Sequence, residues 1–408
     1  MPRNPSRVVI VGAGPAGMAL AYLLARRGVA VTVLEKHQDF ARAFRGEGLQ
    51  RSGIDAFRQM GLGGLFDRLP HVELQHIQFY SRGRLILRAT AEQFGRGDLR
   101  AVSQPALLQL LADQAAQNPT FRLEYGVTMR DFLRTQGRVV GVRGTTADGE
   151  RQFDADLVIG ADGRHAATRK QSGFPELNTP QSYDIIWLKV PYTEGYPNRS
   201  TALIETGRRR VALAFPTADG GLQIGFVIPK GAYAAMRSAN PESWTDDLIG
   251  RLPSFLADAL RANRETLVNA ALLNVVCGRL EEWSAPGFLL IGDAAHPMSP
   301  VGGQGVNIAL RDALVAANQL CPVLTAGADP AALDAAARRV RDERWPEIVA
   351  VQKMQHEQGR LLSAPDRFSM RLMQRLLPLL LRTGLLPWLQ RKERRLMSEG
   401  CVTVRLEV

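Results

Sequence analysis

The stretch Val8 to Glu35, VVIVGAGPAGMALAYLLARRGVAVTVLE, sets out in order an apolar run, a glycine-rich turn, a helical segment and a second apolar run closed by an acid. The first run, Val8 to Val11, is unbroken and β-branched, as expected of a strand covered on both faces in a parallel sheet. In the G-x-G-x-x-G turn, Gly12 permits the tight bend and Gly14 removes a Cβ from the path of a pyrophosphate. Gly17 lets the following helix lie close to the strand. The first helical turn, beginning Pro15-Ala16, offers unpaired N–H groups and a positive dipole end to an anion. Glu35 closes the second strand where a carboxylate accepts the ribose hydroxyls of an adenosine and disfavours a 2′-phosphate. The pattern reads as a βαβ unit for the ADP half of a dinucleotide, with FAD and NAD both admitted.

Two later stretches bear on that choice. Residues 288–307, FLLIGDAAHPMSPVGGQGVN, repeat the theme of an apolar strand running into glycine-rich backbone. Gly302, Gly303 and Gly305 cost conformational freedom, and the usual return is backbone brought within hydrogen-bond reach of something flat or anionic. Asp293, at a strand end, suits either a polyhydroxyl chain or the N-terminus of the next helix. Residues 158–170, VIGADGRHAATRK, supply a third strand ending in Asp162-Gly163.

With these three motifs in this order, the chain resembles the class A flavoprotein monooxygenases, the family of para-hydroxybenzoate hydroxylase, over roughly residues 7–320. The resemblance implies an α/β fold in which a Rossmann-like FAD-binding domain carries an inserted antiparallel substrate sheet and C-terminal helices. It implies FAD contacts at Gly12, Gly14, Pro15, Ala16, Gly17, Glu35, Lys36, Arg45 and Gln104. The Asp-Gly motif adds Asp162, Gly163 and its closing Arg169, and the Gly-Asp motif adds Gly292 and Asp293 along the ribityl chain. The Pro300 to Asn307 segment, with Pro300, Gly302, Gly303, Gly305 and Asn307, is then expected along the isoalloxazine ring. Ala166 departs from the family pattern, standing where most members carry a serine.

Composition is consistent with this reading. The 408 residues admit two to three domains, and 45% hydrophobic content suffices for a large core. The formal charge of +11 is spread over scattered arginines, with one dense run at Arg391 to Arg395. A nucleic-acid reader concentrates its cations between stacking aromatics, so no nucleic-acid partner is expected. Cys277, Cys321 and Cys401 lack C-x-x-C spacing, and with the absence of a leader-like segment they point to a reducing cytoplasm. The apolar Leu376 to Leu389 segment is interrupted by Arg382, Gly384 and two prolines, and falls short of the roughly 20 residues needed to span a bilayer. Packing on the protein itself is the expected role of these C-terminal residues, ahead of a membrane-surface role.

The spacing of the motifs predicts a discontinuous nucleotide-binding domain over 1–73, 100–178 and 273–345. A hairpin at 74–99 and an antiparallel sheet at 179–272 form the substrate domain, and 346–408 form a helical segment. Alternation in SYDIIWLKV, STALIET, RRVALAFPT and LQIGFVIP marks the sheet, with a turn at Asp219-Gly220-Gly221. Residues 242–262 read as helical. Trp187, Phe215 and Phe226 are candidates for lining an apolar cavity over the cofactor, with ordinary core packing as the alternative.

The chain has one fingerprint and no redox cysteine pair, unlike disulfide-reductase-like flavoenzymes; the resemblance implies that NADH or NADPH visits transiently, reduces the flavin and leaves. In the resembled family O₂ then gives a C4a-hydroperoxide that transfers oxygen to an aromatic, polycyclic or otherwise apolar small molecule, by hydroxylation or epoxidation. The chemistry belongs to the cofactor, so few acid or base residues are needed and none is singled out as catalytic; no metal site is expected. Two alternatives on the same scaffold are a flavin-dependent isoprenoid double-bond reductase of the geranylgeranyl-reductase type and a non-catalytic flavin-bound escort protein.

Overall fold

The computed structural model describes residues 7–41, 48–94, 98–207, 210–238, 245–246, 248–250, 252–265, 270–363, 395–396 and 398–408. Arg45, the Leu376 to Leu389 segment, Arg391 to Arg394 and parts of the 242–262 stretch lie outside the described residues.

The Val8 to Glu35 stretch folds as read: β1 (Arg7–Val11), α1 (Pro15–Arg26) and β2 (Ala30–Glu35). The two strands pair in parallel from Arg7 opposite Ala30 to Val11 opposite Leu34. They lie inside a six-stranded sheet ordered Ser284–Ala285, Phe288–Leu290, Leu157–Gly160, β1, β2, Phe121–Tyr125, parallel except for the short first pair. Val8, Val9, Ile10 and Val11 are all buried: α1 packs on the sheet, and the strands Thr128–Thr135, Arg138–Thr146 and Gly149–Asp154 contact it as well. The helix Gly305–Thr325 packs along α1, and the helix Gln104–Ala115 packs on α1 as well. Chain order leaves β1 with β2 on one side and the later strand Leu157–Gly160 on the other. This is the switch point at which open α/β sheets hold ligands beyond their carboxyl ends.

The second sheet has seven strands, ordered Ala271–Leu273, Tyr183–Pro191, Gly221–Pro229, Arg210–Pro216, Thr201–Gly207, His76–Ser81 and Arg84–Thr90. The hairpin expected at 74–99 turns at Arg82 and Gly83, both at positive φ, and joins the sheet through His76–Ser81. One pairing differs from expectation: Thr201–Gly207 runs parallel to His76–Ser81. The two segments come from separate insertions, so no tight turn dictates their relative direction. The sheet's two faces are distinct. Ile186, Leu188, Ile224, Phe226 and Ile228 pack beneath the helix Ser254–Ala262, while Tyr183, Ile185, Trp187, Val211 and Val227 pack on the other side, where Val301 of the glycine-rich loop joins them.

A three-stranded meander, Thr128–Thr135, Arg138–Thr146 and Gly149–Asp154, is a further element; Gln136-Gly137, both at positive φ, turn its first hairpin. The helix Pro330–Ser363 continues through Pro346, so the boundary expected at 345/346 falls within one helix. Among the described residues no helix is long and apolar enough to cross a membrane. All three cysteines are free, Cys277 and Cys321 buried and Cys401 exposed.

Candidate functional site

Strand register assembles the site. Val11 is opposite Gly160, and Gly160 is opposite Leu290, so three adjacent strands end level with one another. Their continuations are the Gly12 to Gly17 turn, Asp162-Gly163 and Gly292-Asp293, motifs far apart in sequence. The ladder carries on past the strand ends through Ala161 N–H to Val11 O at 2.8 Å and Ile291 N–H to Gly160 O at 3.0 Å.

The glycines divide into two kinds. Gly12, at φ +106°, would place a Cβ 2.5 Å from Ala161 O, and one at Gly17 would lie 2.1 Å from Gly12 O. These two are required by the protein's own packing. A Cβ on Gly14 would meet only Ala161 O, at 3.8 Å, and at Gly303 and Gly305 nothing within 4 Å. At these three positions the missing side chain leaves space. Two helices, α1 and Gly305–Thr325, begin beside that space with no side-chain cap and no acid in the first turn. Their N-terminal dipoles are therefore available to an anion. The open cradle fits a dinucleotide.

Glu35 has a structural task as well. Its carboxylate, 2% exposed, accepts Ala13 N–H and His37 N–H, each at 3.0 Å, and so braces the glycine turn from below. Lys36, beside it, is exposed. Asp162 accepts the Thr168 backbone N–H at 3.1 Å and the Thr168 hydroxyl; its burial raises the carboxyl above the usual range despite those bonds. Arg169 is buried and donates to Ala294 O at 3.1 Å and Ala295 O at 3.3 Å, with Glu176 as its counter-ion. It clamps the Asp-Gly segment onto the Gly-Asp segment. Asp293, partly exposed, faces Arg164 at 3.5 Å and lies within a short 3₁₀ turn, Gly292–Ala294. Gln104 is buried at the start of its helix, and Ala166 is buried where a serine was the family pattern.

Asn307 is fully buried: its Oδ1 accepts Gln50 N–H at 2.8 Å, and its Nδ2 donates to Gly303 O at 2.8 Å. It fastens the Pro300 to Gly305 loop, with Gly302 at φ +79°, to residues 48–50. Of the three aromatic candidates, the structure brings Trp187 and Phe215 together, ring centroids 6.2 Å apart, on the face that Val301 packs against. Phe226 is a correction. It pairs with Ile186 and points to the opposite face, under the Ser254–Ala262 helix, because alternate residues of a strand face opposite sides.

The sequence matches the FAD binding domain family over residues 6–348. It is 32% identical over 370 residues to 6-methylpretetramide 4-monooxygenase of Streptomyces rimosus, covering 89% of this chain and 85% of that one. The chain belongs to the class A flavin monooxygenase family. Kynurenine 3-monooxygenase of Salinispora arenicola is another relative of this FAD-dependent monooxygenase, 31% identical over 84% of this chain and 77% of its own. The fold is shared with P. aeruginosa PqsL in complex with 2-aminobenzoylacetate, at TM-score 0.75 and 22% identity over 90% of this chain and 99% of that one. It is also shared with a Klebsiella pneumoniae HpxO variant complexed with FAD, at TM-score 0.75 and 18% identity over 97% and 99% of the two chains.

Two site residues of the monooxygenase were not legible in the sequence. Gln50, buried, donates from Nε2 to Gly302 O at 3.0 Å and leaves its Oε1 without a partner beside the glycine-rich loop. Asp312, fully buried, accepts Gly292 N–H at 3.0 Å and pairs with His296 Nε2 at 2.7 Å and Arg344 Nε at 2.8 Å. Burial works against the Asp312 carboxylate, but His296 and Arg344 outweigh it and hold the pKa at about 2. Neither residue sits in a local pattern; only the fold sets them against the motifs.

Proposed function

We propose that this protein binds FAD in the cradle at the carboxyl ends of the three strands and uses NADH or NADPH and O₂ to hydroxylate or epoxidise an aromatic, polycyclic or otherwise apolar small molecule. The observation that carries the reading is the level ending of β1, Leu157–Gly160 and Phe288–Leu290, with Val301 of the glycine-rich loop packed on the sheet face that bears Trp187 and Phe215. In this reading Gly14 and the α1 N-terminus receive the pyrophosphate, Glu35 the adenosine ribose and Asp293 the ribityl chain. Gly302, Gly303 and Gly305 present backbone to the ring system, with Gln50 Oε1 as an added acceptor. Arg45, Gln104 and Lys36 complete the proposed contact set. Bound FAD supplies the redox chemistry and activation of O₂. The chain's own residues hold the substrate ring against the apolar wall and exclude water from the reacting centre.

The domain division 1–73, 100–178 and 273–345 for cofactor, with 74–99 and 179–272 for substrate, follows the same logic and is proposed with it. The names of the relatives, which act on a pretetramide and on kynurenine, support an aromatic substrate. Three measurements test the proposal: identification of the flavin in a denatured extract, a small-molecule screen for stimulated NAD(P)H oxidation, and product mass under ¹⁸O₂. FMN alone, or a product with two added hydrogens and no added oxygen, would overturn it.

A further inference from the structure

The substrate-facing wall contains one polar group without an explanation. Gln223, in strand Gly221–Pro229, is 1% exposed, and neither its Oε1 nor its Nε2 has a hydrogen-bond partner. A carboxamide offers two donors and an acceptor, and burying it unpaired opposes folding. Register fixes the face on which it lies. Gln223 pairs with Phe215 on one side and Lys189 on the other, and lies two and four residues before Gly225 and Val227, so it shares the face of Trp187 and Phe215, against which Val301 packs. Trp187 and Phe215 stand on the two strands flanking it, which two strand spacings would hold about 10 Å apart. Their rings nonetheless meet at 6.2 Å, leaning over the strand that carries Gln223. Gly225 makes this possible, because a Cβ there would lie 2.5 Å from Trp187 Cζ3.

Three other polar groups around this wall, among the described residues, are occupied. Tyr183 shares a 2.8 Å hydrogen bond with Ser299, Lys189 pairs with Asp219, and Lys230 pairs with Asp184 at 2.8 Å. Among the described residues no buried cation on the wall is left to receive a carboxylate. We propose that Gln223 is a specificity-determining residue that recognises a neutral, planar substrate bearing a donor beside an acceptor, such as an aromatic carboxamide or lactam. The ligand's ring meets Trp187 and Phe215, and its polar edge pairs with the Gln223 amide once those rings part. A site built to hydrogen-bond such a group rejects analogues lacking it far more strongly than an apolar pocket rejects a change of size.

This inference rests on the proposed substrate site, and its test reads binding as well as turnover. The FAD-loaded protein is titrated with 1-hydroxy-2-naphthamide, 1-hydroxy-2-naphthoate and 1-naphthol, following the flavin absorbance change and the ligand-induced rise in Tm. The naphthamide is expected to bind about 10- to 100-fold more tightly than 1-naphthol, as one or two satisfied hydrogen bonds dictate, with the naphthoate weakest. Gln223→Met, similar in volume, is expected to erase that preference while the ligand-free Tm holds or rises, because an unpaired amide has been removed. A structural role for Gln223 would instead lower the ligand-free Tm and leave the preference intact. Equal binding of the three ligands by the unaltered protein, whether strong or absent, overturns the inference, as does a preference that survives in Gln223→Met. Should the preference hold and vanish as expected with no ligand stimulating NAD(P)H oxidation, the oxygen-transfer reading fails and this one stands.

Discussion

Replacing Gly14 by alanine separates cofactor binding from folding. The backbone at Gly14, φ −81° and ψ −178°, is accessible to any residue, and the new Cβ meets only Ala161 O at 3.8 Å. In the apo-protein, a less flexible unfolded chain stabilises by about 0.4–1 kcal/mol. Loss of glycine at a helix N-cap costs roughly as much, so the apo stability should stay within about 1 kcal/mol of its starting value. With FAD the outcome differs. The methyl group enters the space where the pyrophosphate approaches the turn, and one or two charge-assisted hydrogen bonds worth about 1.5–3 kcal/mol each are lost or stretched. At 1.4 kcal/mol per decade, FAD should bind at least about 10-fold more weakly. Gly17→Ala is the counterpart: its Cβ would sit 2.1 Å from Gly12 O, so backbone must shift and the apo-protein itself should lose several kcal/mol, on the order of an overpacked core. Thermal unfolding of the flavin-free protein, together with FAD titration by fluorescence, distinguishes them. Equal apo-state losses for the two variants, or undiminished FAD affinity in Gly14→Ala, would refute the division of the glycines into packing and cradle positions.

Glu35→Ala should lower apo stability by about 1–3 kcal/mol in denaturant unfolding, since the buried Ala13 N–H and the partly buried His37 N–H lose their acceptor, in addition to weakening FAD; an effect on FAD alone would remove the bracing role. Asp293→Ala should weaken FAD while leaving the apo melting temperature nearly unchanged, because its partly exposed pair with Arg164 is worth only about 0–1 kcal/mol; a deficit confined to the apo-protein rejects the ribityl assignment. The depressed Asp312 pKa, about 2 against 3.8, makes a stabilising contribution of roughly 2 kcal/mol that is complete above the unfolded value. That contribution is lost as pH falls from about 4 through 2, and Asp312→Asn should flatten the acid limb of the stability profile.

The Val8 to Glu35 unit was fully legible because strand, turn and helix there are set by local causes: β-branched residues, positive φ at Gly12 and helix-forming alanine and leucine. The same holds for the Asp-Gly and Gly-Asp motifs as strand ends, and for the alternation that marks the inserted sheet. Sequence alone could not give which face an alternating residue shows, and so placed Phe226 with Trp187 and Phe215 although strand pairing turns it away. Nor could it give the parallel joining of Thr201–Gly207 to His76–Ser81, a choice made between segments more than a hundred residues apart and fixed by packing. Glu35 was read as a ribose acceptor, but its hold on Ala13 N–H appears only when β1 and β2 lie side by side. Gln50, Gln223 and Asp312 carry no local pattern at all. Local chemistry determines conformation over a few residues, whereas burial, partners and unsatisfied groups are properties of surfaces that meet only when the chain has folded.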